Sequence, residues 1–155
     1  VLRRLPEALF VVAGDGDMYH ELLFSTAFQR LSASVLFSGF VRDTQRDKLL
    51  DRADVFVMPS LSEPFGLVAL EAAQRHTPVI ISKNAGVSEV LPNATALDFW
   101  DLNKMTDAIV SLVSDQQLAT GVVHGQLRDL SQVTWANTAK QLRQTYSRAL
   151  FGHQN

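Results

Sequence analysis

Two acidic residues, Glu63 and Glu71, bracket a stretch in which a loop turns into a helix: Pro59-Ser60-Leu61-Ser62-Glu63-Pro64-Phe65-Gly66-Leu67-Val68-Ala69-Leu70-Glu71-Ala72-Ala73. A helix that opens after a strand presents unpaired N–H groups at its start, the natural partners of an anion such as phosphate. Gly66 lacks a Cβ, so a phosphate could approach its backbone closely. Pro64 is tolerated in a first turn that needs no N–H. At about 1.5 Å of rise per residue the two carboxylates stand on the order of 10 Å apart. That is too far for sharing a proton and suits two polyol ends on either side of a diphosphate, with Glu63 and Glu71 each accepting from hydroxyls.

Each acid also has a plainer reading. Glu63 could be a solvated first-turn acid, favoured by the helix dipole by about 0.3–1 kcal/mol. Glu71 could pair with Arg75 at i,i+4, worth ~0.2–0.5 kcal/mol on an exposed face. At about 100° per residue, however, Glu71 falls between Leu67 and Val68 on a helix that is apolar nearly all round. The pattern predicts a buried carboxylate in need of a hydrogen-bonding partner.

The elements that must hold these residues follow from hydropathy. Ala8 to Ala13, Ser34 to Ser38, Asp54 to Met58 and Pro78 to Ser82 are near-continuous apolar runs rich in Val, Ile and Phe. Such runs suit strands buried on both faces of a parallel sheet. Between them Asp17 to Leu31, Asp43 to Arg52 and Phe65 to His76 have helical spacing, and strands alternating with helices give βαβ units. Thr95 to Asp98 reads as a last short strand. Asp101 to Ser114, Gln116 to Leu130 and Trp135 to Phe151 read as helices, the last with an apolar stripe of Trp135, Ala139, Leu142, Tyr146 and Leu150 that is expected to pack on something. Trp100 and Trp135 read as packing anchors at helix starts, and Gln154 and Asn155 are expected to fray. The fold class is α/β: a Rossmann-like, doubly wound parallel sheet with helices on both faces and extra C-terminal helices.

Composition narrows the partners. The chain has 155 residues, and 46% of them are apolar, enough for one domain over residues 1–155 with an independent core. With 14 Lys+Arg against 16 Asp+Glu and the bases scattered, there is no positive field for nucleic acid. The chain has no Cys, which removes disulfides, thiolate metal sites and thiol nucleophiles. No apolar run approaches the ~20 residues of a transmembrane helix, and residues 1–9 contain no secretory h-region. These absences give cytoplasmic residence as the expectation. The first residue is Val, and Val1 to Leu5 reads as the tail of a helix, so the chain is expected to begin inside a larger protein. His20, His76, His124 and His153 have no ligand-like spacing with carboxylates, so no metal site is expected. Asp15 and Asp17 read as a solvated loop and helix N-cap. Lys83, after a strand, could reach a phosphate or stand as an exposed loop lysine.

Taken together, these tracts resemble the retaining glycosyltransferases of family four, which have the two-domain GT-B fold. Glu63 and Glu71, with seven residues between them, match that family's E-x7-E motif. The likeness extends to Val11 through Gly16, Phe37-Ser38-Gly39-Phe40-Val41, Ala53 through Ser60, Pro78-Val79-Ile80, Gly86 with Glu89, and Trp135 ahead of a final helix. The stretch Glu63 to Leu67 with Glu71 to Ala73 and Lys83-Asn84 is most similar to the sucrose-phosphate synthase and sucrose synthase branch. The resemblance implies a UDP-, GDP- or ADP-hexose as donor, with Glu63 as the catalytic-site residue on the donor sugar. It implies that the backbone of Phe65, Gly66 and Leu67 meets the diphosphate, that Glu71 binds the ribose, and that Gly39, Phe40 and Val41 lie near the base. It implies neither a cofactor nor an obligatory metal.

The departures from that family are specific. Its first strand, the basic pair that follows it, and its N-terminal acceptor domain would all precede Val1. The sheet is therefore expected to lack a middle strand unless another segment fills the place, and the chain alone is expected to have no transferase turnover. His76 stands where the family has Gly, and Ala85-Gly86 where it has Gly-Gly. Two other readings share the α/β pattern: a non-catalytic flavodoxin-like signalling or interaction domain, and the nucleotide half of a nucleotide-sugar epimerase. The first needs an acid at the carboxyl end of a strand, whereas Asp54 begins its strand. The second needs catalytic acids and a His that cannot be placed here.

Overall fold

A computed structural model describes residues 1–151, and it alternates strands and helices as the hydropathy requires. The order is β1 (Phe10–Ala13), α1 (Tyr19–Phe28), β2 (Val35–Gly39), α2 (Asp43–Arg52), β3 (Phe56–Met58), α3 (Leu67–Gln74), β4 (Val79–Ser82), a 3-10 turn (Gly86–Glu89), β5 (Thr95–Leu97), α4 (Leu102–Ser114), α5 (Gln116–Gln132) and α6 (Trp135–Phe151). Gln154 and Asn155, expected to fray, lie outside the described residues. Val1 to Leu5 forms a single helical turn, closed by the Leu5 N–H on the Val1 carbonyl at 3.0 Å.

All strand pairs are parallel, and they fall into two sheets, β1-β2 and β3-β4-β5. The expected interruption is therefore present: among the described residues β1 pairs only with β2 and β3 only with β4. The core sits on the second sheet. β4 is buried along its whole length, and because side chains alternate across a strand, its two faces serve two clusters. Val79 and Ile81 pack with Ala69, Leu70, Ala72 and Ala73 of α3. Ile80 packs with Leu112 of α4 and Ala119 of α5. Helices thus cover both faces of this sheet, as expected for the fold class. Small alanines on α3 let the helix sit close to the strands, which fixes where its first turn emerges.

Several expectations are corrected. β1 does not read as a strand buried on both faces: Val11 and Val12 are each 40% exposed, because no described element covers them. α6 packs its stripe on nothing described, and Leu142, Tyr146 and Leu150 are exposed. The tryptophans are not anchors. Trp135 is 90% exposed, and Trp100 touches Phe99 edge-on while remaining largely in solvent. Asp17 does not cap α1, whose N-cap is Met18 with no side-chain bond. The later helices start on real caps: Asp101 accepts from the Lys104 N–H at 3.0 Å, and Asp115 accepts from Gln117 and Leu118, each at 2.9 Å. Among the described residues no helix is long and apolar enough to cross a membrane.

Candidate functional site

The carboxyl ends of the parallel strands are where helix N-termini and their loops converge, and the residues singled out by sequence lie there. β3 runs out at Met58, and the next seven positions before Gly66 form a loop without regular structure. Two backbone bonds from the segment after β4 brace it: Gly86 N–H to the Glu63 carbonyl at 3.1 Å, and Val87 N–H to the Phe65 carbonyl at 2.6 Å. The approach is so close that a Cβ on Gly86 would lie 2.2 Å from the Pro64 carbonyl oxygen. Only Gly fits there. Ala85, in the first position of the family's Gly pair, is buried without obstructing this contact.

Gly66 is the N-cap of α3, with φ of 99°, in the left-handed region that side chains rarely adopt. Its missing Cβ faces the interior: it would lie 2.7 Å from Met58 Cε and 3.2 Å from Val87 Cγ1. The requirement for Gly at this position is thus one of backbone conformation and packing, which corrects the reading that its open side serves an incoming phosphate. The helix begins at Leu67, and the N–H groups of Gly66, Leu67 and Val68 have no acceptor among the described residues. Phe65 differs. Its N–H donates to Glu63 Oε1 at 3.3 Å, so one of the three backbone donors expected for the diphosphate already has a partner in this structure.

Both acids remain partly accessible, Glu63 in the loop before α3 and Glu71 in the second turn of the helix. Glu71 is not sealed between Leu67 and Val68, because its side chain retains 33% exposure. It also does not pair with Arg75. Its Oε1 lies 3.0 Å from Arg46 Nη1 of α2, while Arg75 turns to Asp47 at 2.6 Å and Asp51 at 2.7 Å. The reason is that α2 packs against α3 and brings its own cations and acids across. The Asp51 hydrogen bond and the charges of Asp47, Asp51 and Glu71 raise the Arg75 guanidinium above its ordinary pKa.

Gly39, Phe40 and Val41 close β2 and lead into α2. Gly39 has φ of 66°, and its carbonyl accepts from the Gly14 N–H at 2.8 Å, joining this turn to the Gly14-Asp15-Gly16 turn. Phe40 is exposed, with the Arg42 guanidinium 4.6 Å above its ring. Lys83 is paired with Asp98 at 3.0 Å. A cavity of about 330 Å³, lined by Asp54, His76, Pro78 and Leu112 among others, opens at the amino ends of β3 and β4 and so belongs to the opposite side of the sheet. Three features escape a reading of the sequence: the Arg46–Glu71 pair, the brace from Gly86 and Val87, and the Arg42–Phe40 contact. The last had a local signal, a cation two residues from an aromatic ring in a turn.

Comparison with known proteins identifies the family and the fold. Residues 1–122 match the family model described as glycosyl transferases group 1. An uncharacterised glycosyltransferase of Methanocaldococcus jannaschii is 33% identical over 97% of this chain and 41% of its own length. The solved sucrose-phosphate synthase of Thermosynechococcus elongatus superposes with a TM-score of 0.72 at 29% identity, over 93% of this chain and 38% of that one. HepE of Anabaena, solved in complex with UDP, gives a TM-score of 0.76 at 23% identity over 94% of this chain and 43% of its own. The chain spans about two fifths of the length of each. With residues 1–122 of its 155 matched by the family model, the chain belongs to the group 1 glycosyl transferases.

Proposed function

We propose that residues 1–155 form a single Rossmann-like nucleotide-sugar-binding domain, the C-terminal half of a two-domain retaining enzyme that moves a hexose from a nucleoside-diphosphate sugar to an acceptor. One observation carries the reading. Three unpartnered N–H groups, on Gly66, Leu67 and Val68, stand at the start of α3 between two partly exposed carboxylates. The amides take the diphosphate, aided by the positive end of the helix dipole. Glu63 accepts from hydroxyls of the sugar, Glu71 from the ribose, and the base lies against the Gly39-Phe40-Val41 turn. HepE, with the same fold, binds UDP, which supports a nucleotide in this position.

In the reaction the bond between the anomeric carbon and the leaving phosphate oxygen breaks, and the negative charge moves onto the diphosphate. Donors already aimed at that oxygen stabilise the developing charge without reorganising, the largest contribution a fixed site makes. Glu63 holds the hexose so that the acceptor hydroxyl attacks from the face that the leaving group vacates, its oxygen bonding the anomeric carbon while its proton passes to the departing phosphate oxygen.

Calorimetric titration of the chain with UDP, GDP and ADP tests this reading. One of them is expected to bind, and Glu71→Ala is expected to weaken it about 10-fold, the loss of a hydrogen bond to a charged group. Binding of none, or indifference to Glu71→Ala, would overturn the assignment. Purified chain with nucleotide sugar is expected to give no product, because the acceptor half is supplied by other residues.

A further inference from the structure

We propose that Arg46 is a positioning residue for ribose recognition: it pins one oxygen of Glu71 so that the other is presented to the nucleotide. The inference rests on the donor-domain reading given above. Five charged side chains form one line across the α2–α3 contact, in the order Glu71, Arg46, Asp47, Arg75, Asp51. Arg46 donates from Nε and Nη2 to Asp47 Oδ1, at 3.3 and 3.1 Å, while its remaining arm, Nη1, forms an ion pair with Glu71 Oε1 at 3.0 Å. Asp47 is itself held through Oδ2 by Arg75 at 2.6 Å. The guanidinium that reaches Glu71 is therefore fixed from behind by two further ion pairs, which limits the directions it can take.

The consequence falls on Glu71. A carboxylate has acceptor sites on both oxygens. Here Oε1 is committed to Arg46, and Oε2 has no partner among the described residues. Both partners of the pair are a third exposed, so screening leaves it little worth for stability. Its contribution lies in orientation: a long side chain on an accessible helix face otherwise samples several rotamers, and freezing them costs affinity when a ligand must do it.

The test compares affinity for whichever of UDP, GDP and ADP binds with affinity for its 2′,3′-dideoxy counterpart, on the 155-residue chain. The preference for the ribose form is the readout. Glu71→Ala is expected to abolish it. Arg46→Gln is expected to reduce it about 10-fold, and Arg46→Lys to restore much of it. Arg75→Ala leaves the Arg46–Glu71 pair in place and frees only Asp47 behind it, so it is expected to reduce the preference by clearly less than Arg46→Gln does. If Glu71→Ala abolishes the preference and Arg46→Gln leaves it intact, the inference fails and the donor-domain reading stands. If Arg75→Ala lowers it as much as Arg46→Gln does, the role is structural and the inference fails. If Glu71→Ala itself leaves the preference intact, the ribose assignment falls and this inference with it.

Discussion

Gly86 shows how a single position decides the shape of the candidate site. A Cβ there would meet the Pro64 carbonyl oxygen at 2.2 Å, a backbone atom that cannot rotate away. Gly86→Ala should therefore push the Glu63 loop off its brace and destabilise the fold by about 1–3 kcal/mol. Urea denaturation reads the loss, and an unchanged midpoint would mean that the loop yields freely. At this scale the sequence was partly legible. The loop-to-helix transition between Glu63 and Glu71 was legible, because strand end, Pro, Gly and apolar helix follow one another within a short window. The reason for Gly66 was not legible, since a missing side chain serves a ligand or the interior equally well until Met58 and Val87 are placed around it. Arg46 was invisible for a related reason: its partner is 25 positions away on another helix, and no local period joins them.

Among the elements, α3 ends in a way that offers a clear test. The His76 N–H bonds to the Ala73 carbonyl and the Thr77 N–H to the Ala72 carbonyl, each at 3.1 Å, the paired closure that places the intervening residue in the left-handed region. His76 occupies that place with φ of 61°. Its fit with the family's Gly is one of conformation, achieved here with a side chain under strain. His76→Gly should raise stability by roughly 0.5–1 kcal/mol, the strain relieved less the extra freedom of the unfolded chain, seen as a higher Tm. A lower Tm would show that the imidazole contributes contacts that outweigh the strain.

The start of α4 responds to acid. The Lys104 N–H, followed by the Lys104 side chain, holds the Asp101 carboxyl below its ordinary pKa of 3.8. A group lowered in the folded state adds stability that is complete above its unfolded pKa and disappears as pH falls through the folded one. Helicity followed by circular dichroism should accordingly show Asp101→Asn less stable than the parent at neutral pH, with the two converging in strong acid. A constant difference across that range would remove the cap from the account. Strands and helices themselves were legible to within a few residues, because β-branched runs and 3.6-residue periods are properties of short windows. Their burial was not. β1 reads as doubly covered from composition, yet covering depends on which neighbours are present.

At the scale of the whole molecule, two features stand together: among the described residues β1 and β3 each offer an unpaired edge, and Val11, Val12, Phe24 and Phe28 lie exposed on the β1-β2-α1 side. Exposed edges with apolar neighbours invite pairing between chains. The chain on its own should associate with rising concentration in sedimentation velocity, and Val11→Lys should suppress this by charging the edge strand. A concentration-independent monomer would mean that the two edges shield each other in solution. The interruption between them was legible only through the family resemblance, since nothing in the hydropathy of the chain marks a strand that it does not contain.

The bond from the Phe65 N–H to Glu63 has a thermodynamic meaning for how a donor enters. In the proposed role, an arriving hexose would meet a carboxylate oxygen already engaged, so its hydroxyls would exchange one contact for another for a small net gain. Affinity would then be carried by the diphosphate and nucleoside, with the leaving product held nearly as firmly as the intact donor.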